Sequence, residues 1–85
     1  MFKPEFINER VKAQPFRPLR IIASEGLQYD IYHPDLIMVG ERDITIGLSR
    51  RQGTIYDRQI RVALIHIVAL EEIPPAPAAD PTADA

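Results

Sequence analysis

The residues with the clearest potential for chemistry form an arginine cluster near the middle of the chain. Four arginines and a tyrosine lie within twelve positions of one another: Arg50, Arg51, Tyr56, Arg58 and Arg61. Guanidinium groups bind phosphates and an aromatic ring can stack on a base, so this combination is typical of single-stranded nucleic-acid binding. Asp57 lies inside the cluster, however, and a polar connection between strands often carries charge for solubility alone. A solvated loop is therefore the competing interpretation, and the one that we favour.

The two histidines predict no metal site. Imidazole and carboxylate groups suit zinc, so His33 and His66 could act together with Asp35. The three residues do not share one local motif with ligand spacing, however. We expect His33-Pro34-Asp35 to form a turn that ends a strand, because proline fixes its own backbone and Asp35 can bond nearby amides.

The sequence also lacks an arrangement that enzymes use for catalysis. The candidate nucleophiles are Ser24, Ser49 and Thr54, and none lies in a strand-to-helix elbow or beside a recognisable base. The four glycines are isolated, so the chain has no glycine-rich phosphate loop. We therefore predict a protein that is not an enzyme and that uses no cofactor.

Composition restricts the protein to one small domain. The chain has 85 residues and a formal net charge of −2, which Asp80 and Asp84 supply, since residues 1–73 hold ten acidic and ten basic side chains. A domain with equal numbers of acidic and basic side chains exerts no long-range attraction on nucleic acid or on an anionic membrane. The absence of cysteine excludes disulfides and thiol chemistry and fits a reducing compartment. No apolar run approaches the roughly 20 residues of a membrane span, so we predict a cytoplasmic protein without a membrane partner.

Prolines mark both ends of the predicted domain, residues 1–73. Pro4 favours the first turn of a short helix over residues 3–12, and Pro15 would prevent its continuation. The helix would carry an apolar stripe of Phe6, Ile7 and Val11. Residues 74–85 contain four prolines and no large apolar side chain, so we predict a disordered tail there.

Between these ends, apolar runs alternate with polar breaks. Six runs rich in Ile, Val, Leu or Tyr are bounded by Gly, Pro, Asp or charged residues, which is the pattern of short β-strands. The runs are residues 19–24, 27–32, 36–39, 44–49, 59–63 and 65–73. We expect one small curled sheet whose apolar face carries Ile21, Ile31, Ile46 and Val62.

Two positions in these runs are ambiguous or unusual. Residues 62–72 could instead form a helix, although the β-branched Ile65, Ile67 and Val68 favour a strand. Gly47 lies inside a run, which predicts a sharp bend or a close approach of another group to the backbone.

The order of a helix followed by short curved strands resembles the Sm-like barrel, the fold of the bacterial Hfq-type RNA chaperones. Residues 4–8 lie where that family has its N-terminal helix, residues 20–26 resemble its first strand and glycine turn, and residues 63–68 resemble its final crossing. The resemblance implies a mainly β fold, a small, strongly bent, five-stranded antiparallel barrel. It also implies RNA binding, for which the family uses a Lys-His pair; this chain has Arg61 and Val62 at those positions.

A second resemblance spans roughly residues 14–36. Its parts are Pro15-Phe16-Arg17-Pro18-Leu19-Arg20, the turn Glu25-Gly26 and the step His33-Pro34-Asp35. This pattern is similar to that of a group of short uncharacterised bacterial proteins, and it implies no established activity.

These features together predict a non-catalytic binding or assembly module. Open strand edges favour homo-oligomerisation in a domain of this size. The alternative is an Sm-like RNA-binding protein that uses the arginine cluster.

Overall fold

The computed structural model describes residues 1–50 and 53–74, which contain one short helix and six strands. The helix, α1, is Pro4–Lys12, and the strands are β1 Leu19–Ala23, β2 Gln28–Ile31, β3 Ile37–Val39, β4 Asp43–Leu48, β5 Arg58–Ala63 and β6 Ile67–Glu72. Each of the six apolar runs overlaps one strand, although β4 and β5 begin one residue before their runs, and this confirms a mainly β chain with one short helix. The helical alternative for residues 62–72 is wrong, because β5 ends there, a short turn follows at Leu64–His66, and β6 begins. The predicted disordered tail lies outside the described residues apart from Pro74.

The strands form two three-stranded antiparallel sheets, in the orders β2-β1-β6 and β3-β4-β5. The expected five-stranded barrel is therefore wrong: the described part of the chain has six strands, and no strand pairing joins its two sheets. Two interruptions account for the division. The short helical turn Pro34–Leu36 separates β2 from β3, because proline has no amide hydrogen for a ladder, and Leu64–His66 separates β5 from β6.

Buried side chains from both sheets form one apolar cluster. They occupy alternate positions of the strands, as expected when one face of a sheet is covered. The four residues predicted for the apolar face are all buried there: Ile21, Ile31, Ile46 and Val62. Other strand positions carry polar side chains and a few exposed apolar ones, such as Met38 and Val68.

Helix α1 contributes Ile7 and Val11 to this cluster, whereas Phe6, the third member of the predicted stripe, is 40% exposed. The guanidinium of Arg10 lies 5.3 Å from the centroid of the Phe6 ring. Arg10 also donates a hydrogen bond of 2.9 Å to the carboxylate of Glu72, so the helix is tied to the end of β6. Across residues 1–50 and 53–74, no helix is long and apolar enough to cross a membrane.

Candidate ligand-binding groove

The connection between β2 and β3 takes the chain from one sheet into the other. His33 has an extended backbone, Pro34 begins a single helical turn, and the amide of Leu36 donates to the carbonyl of His33 at 3.1 Å. The His33-Pro34-Asp35 step is therefore the strand-ending turn that the sequence predicts.

A groove lies beside this turn, between the end of β2 and the end of β4. Its cavity volume is about 520 Å³, which is within the range of small-ligand sites. Its lining comes from the two chain segments on either side: Asp30, Tyr32, His33, Leu36, Gly47, Leu48, Ser49 and Gly53. We call this cavity the inter-sheet groove.

Gly47 lines this groove, and two neighbouring side chains cover its main chain. A Cβ atom at position 47 would lie 3.1 Å from Cβ of Tyr56 and 3.3 Å from Cδ2 of Leu36, both closer than ordinary van der Waals contact. The absence of a side chain therefore lets Tyr56 and Leu36 pack directly on the main chain of β4. This is the close approach that a glycine inside a strand predicts.

Two tyrosines keep about half of their surface accessible here. Tyr32 lines the groove and is 54% exposed, and Tyr56 packs against Gly47 and is 49% exposed. A tyrosine offers a large apolar ring and a hydroxyl that can donate or accept, and such side chains are enriched at binding surfaces. The arrangement can therefore bind a ligand that has both apolar groups and hydrogen-bonding groups.

An ion pair engages Asp30, one of the groove residues. Nε and Nη2 of Arg20 donate to the carboxylate of Asp30 at 2.9 and 3.3 Å. The hydrogen bond from Asp30, followed by its negative charge, raises the pKa of Arg20, so this guanidinium stays charged at any pH that the fold tolerates. Asp30 thus contributes little unbalanced charge to the groove.

The arginines of β5 do not face one surface. Side chains alternate along a strand, so Arg58 shares its side of β5 with the buried Val62, and Arg61 lies on the other side. Arg61 forms an ion pair of 3.6 Å with Asp43 of the adjacent β4. Arg58 lies opposite Leu48, a groove residue, and is exposed.

The rest of the arginine cluster lies in the connection before β5. Arg50 donates to the carboxylate of Asp57 twice, from its backbone amide at 3.2 Å and from Nε at 3.3 Å. Tyr56 packs on Gly47, as described, and Arg51 lies outside the described residues. Two of the three described arginines therefore already have acidic partners, and Tyr56 packs on the groove residue Gly47.

A second cleft, of about 380 Å³, contains the candidate nucleophile Ser24 together with His66. The Ser24 hydroxyl donates to the main-chain carbonyl of His66 at 3.2 Å and not to its imidazole. His33 lines the inter-sheet groove instead, so the two histidines lie in different cavities. In the described ranges, no group of three or more His, Asp and Glu side chains could hold a metal ion.

Comparison with known proteins gives no family for this chain. No family model, no curated protein and no solved structure matches it. Both sequence resemblances therefore stay predictions about family, and function has to be inferred from the groove itself.

Proposed function

We propose that this protein is a non-catalytic binding module that holds an extended peptide segment in the inter-sheet groove. The observation that carries the proposal is a groove lined by the half-exposed ring of Tyr32 and by Leu36, with a second half-exposed ring, Tyr56, packed on the groove residue Gly47. This combination suits an extended peptide. Its side chains can pack on the apolar groups of the groove, and its main-chain carbonyls can accept hydrogen bonds from a tyrosine hydroxyl.

The groove also contains residue types found in hydrolases, since Ser49, His33 and Asp30 all line it. In a serine hydrolase, the carboxylate orients the histidine and the histidine accepts the proton of the serine. Asp30 here accepts two hydrogen bonds from Arg20 instead. The hydrogen bonds between Arg20 and Asp30 therefore favour a binding groove over a catalytic site.

RNA binding by the arginine cluster is the second candidate. It is supported by the exposure of Arg58, two positions after the half-exposed Tyr56 in the sequence, because a guanidinium and a ring could contact a phosphate and a base. The acidic partners of Arg50 and Arg61 weigh against it, because RNA would have to compete with Asp57 and Asp43 for these guanidiniums.

A peptide selection tests the first proposal. The full chain is immobilised and a phage library of random peptides is selected against it, and each recovered peptide is then tested on Tyr32→Ala and on Ile65→Ala. Tyr32 and Ile65 are both exposed, so neither change removes a core side chain, and only Tyr32 lines the groove. We expect binding that survives Ile65→Ala and is lost with Tyr32→Ala. Recovered peptides that bind the Tyr32→Ala variant as well as they bind the parent chain would show that the groove is not the binding site.

A further inference from the structure

We propose that the inter-sheet groove is occupied by the chain's own proline-rich segment, residues 75–85. The inference rests on the proposed function, because it names the peptide that fills the same groove. It is carried by three separate considerations: the chemistry of that segment, the position at which the described chain ends, and the effective concentration of a tethered ligand.

The composition of the segment suits a shallow aromatic groove. Residues 75–85 contain Pro75, Pro77 and Pro81, separated mainly by alanines. Proline-rich sequences favour an extended helix whose carbonyls remain free, and aromatic-lined grooves bind such segments at a low cost in conformational entropy. Proline rings are small apolar groups that can lie on the groove residues Tyr32 and Leu36, and the hydroxyl of Tyr32 can donate to the free carbonyls.

The described chain ends close to the groove. The amide of Ile73 donates to the carbonyl of Pro18 at 2.9 Å, which fixes the exit of β6 beside the start of β1. Leu19, the next residue, pairs with Ile31, and Ile31 precedes the groove residue Tyr32. The end of β6 therefore lies two strand spacings, about 10 Å, from the end of β2, where the groove begins. Eleven residues at roughly 3.1 Å each would span about 34 Å, so the segment can reach the groove of its own molecule.

Because the segment belongs to the same chain as the groove, a weak contact between them is enough to keep the groove occupied. A short flexible connection gives a ligand an effective concentration in the millimolar range. A segment that binds as a free peptide with a Kd of about 1 mM would then fill at least half of the grooves within its own chain. We therefore expect weak binding of the free peptide and a clearly visible effect in the intact protein.

Amide NMR spectra of the full chain test the inference. The parent chain is compared with a variant that carries Pro75→Ala, Pro77→Ala and Pro81→Ala. We expect shifts at the amides of Tyr32, His33 and Gly47, and none at Ile65 or Val68, which lie outside the groove. The matched control is the full chain with Asp80→Asn and Asp84→Asn, which keeps the prolines and should leave the groove amides unchanged. Groove amides that are identical in the parent chain and in the proline variant would overturn the inference.

A titration separates this inference from the proposed function. A synthetic peptide of residues 74–85 is added to the proline variant, where it should shift the groove amides back toward their parent positions. The same titration with Tyr32→Ala added to the variant should give no such shifts. If the peptide has no effect while selected peptides still bind through Tyr32, the groove remains a peptide site and only its assigned occupant is wrong. The difference in groove amide positions between the parent chain and the proline variant should not depend on protein concentration. If this difference disappears on dilution, the inference is overturned, since the contact would then require a second molecule.

Discussion

The hydrogen-bond partners of single side chains decide what the groove can do. Ser49, His33 and Asp30 have the types of a catalytic triad, and sequence analysis does not foresee that they would line one cavity. Asp30 is held by two hydrogen bonds from Arg20, which is paired with it across β1 and β2. A carboxylate engaged in this way balances a guanidinium instead of orienting an imidazole.

We therefore expect Ser49 to be unreactive. A fluorophosphonate probe, which labels activated serines, should label the full chain no more than it labels the Ser49→Ala variant, because the carboxylate of Asp30 is engaged by Arg20 instead of orienting a catalytic histidine. Mass spectrometry of the treated protein measures the labelling. Stoichiometric modification of Ser49 would contradict a non-catalytic groove, and Ser24→Ala serves as the control for labelling in the second cleft.

The substitution Gly47→Ala should weaken ligand binding more than it weakens the fold. The new Cβ would lie 3.1 Å from Cβ of Tyr56, so the partly exposed segment that carries Tyr56 must shift slightly, and the free energy of unfolding should fall by about 1 kcal/mol. A shift of Tyr56 against Gly47 changes the shape of the groove at Gly47, and we expect affinity for a selected peptide to fall about tenfold, or about 1.4 kcal/mol. Calorimetric titration and urea unfolding measure the two effects. Thr45→Ala, two residues earlier on the same side of β4, should leave the affinity unchanged.

Single-stranded RNA should bind weakly or not at all, because Arg50 and Arg61 are already paired with Asp57 and Asp43. Fluorescence anisotropy with a labelled oligonucleotide at low salt measures this. Binding that weakens steeply with salt would instead support the RNA-binding alternative, since neutralised phosphates release counterions. In that case, Arg51→Ala together with Arg58→Ala should flatten the salt slope by up to about two phosphate equivalents.

At the scale of elements, local pattern predicted the strands but not their partners. Alternation and breaks located all six strands, because each depends on neighbouring residues alone. The pairing of β1 with β6 joins residues about fifty positions apart, and nothing local specifies it. The division into two sheets depends on the turns at Pro34–Leu36 and Leu64–His66, and only the first contains a proline that marks it in the sequence.

Part of the groove could also be predicted from the sequence, because some of its features depend on neighbouring residues alone. Gly47 and the His33-Pro34-Asp35 step are local signals, and both proved to shape the groove. Tyr32 and Leu36 gave no such signal, because they acquire a role only when the end of β2 and the end of β4 are brought together. The arginine cluster was the stronger pattern in sequence, yet alternation along β5 places Arg58 and Arg61 on opposite sides.

The facing of β4 provides a direct test of the core. Ile46 is fully buried on the central strand of its sheet, so Ile46→Ala should lower the free energy of unfolding by roughly 2–4 kcal/mol through lost burial and the cavity left behind. Thr45 precedes it and points to the other side, so Thr45→Ala should cost much less. Urea unfolding of the two variants measures the difference. Equal costs would mean that the facing of this strand is wrongly assigned.

At the scale of the whole molecule, the two sheets leave open strand edges. In the described part of the chain, β2, β6, β3 and β5 each have a neighbour on one side only. Exposed charged side chains such as Arg58 and Arg61 blunt the edge at β5, since charge disfavours pairing with another chain. The first part of β6 is different, because Val68 is 61% exposed and Ile65 just before the strand is 69% exposed. This edge is the best candidate for contact between copies of the chain.

We therefore propose that the protein self-associates through β6, and expect a mass that rises with concentration in light scattering coupled to gel filtration. Val68→Lys should shift the population to the monomer, because a lysine on the edge would have to be desolvated against apolar neighbours. Met38→Lys is the matched control: Met38 is 64% exposed on the β3 edge, and its replacement should leave the mass unchanged. Val68 is exposed, so a loss of association cannot be attributed to a disrupted core, and thermal melting of both variants verifies that the fold persists. A monomer at every concentration, or a mass that Val68→Lys does not change, would contradict assembly through this edge.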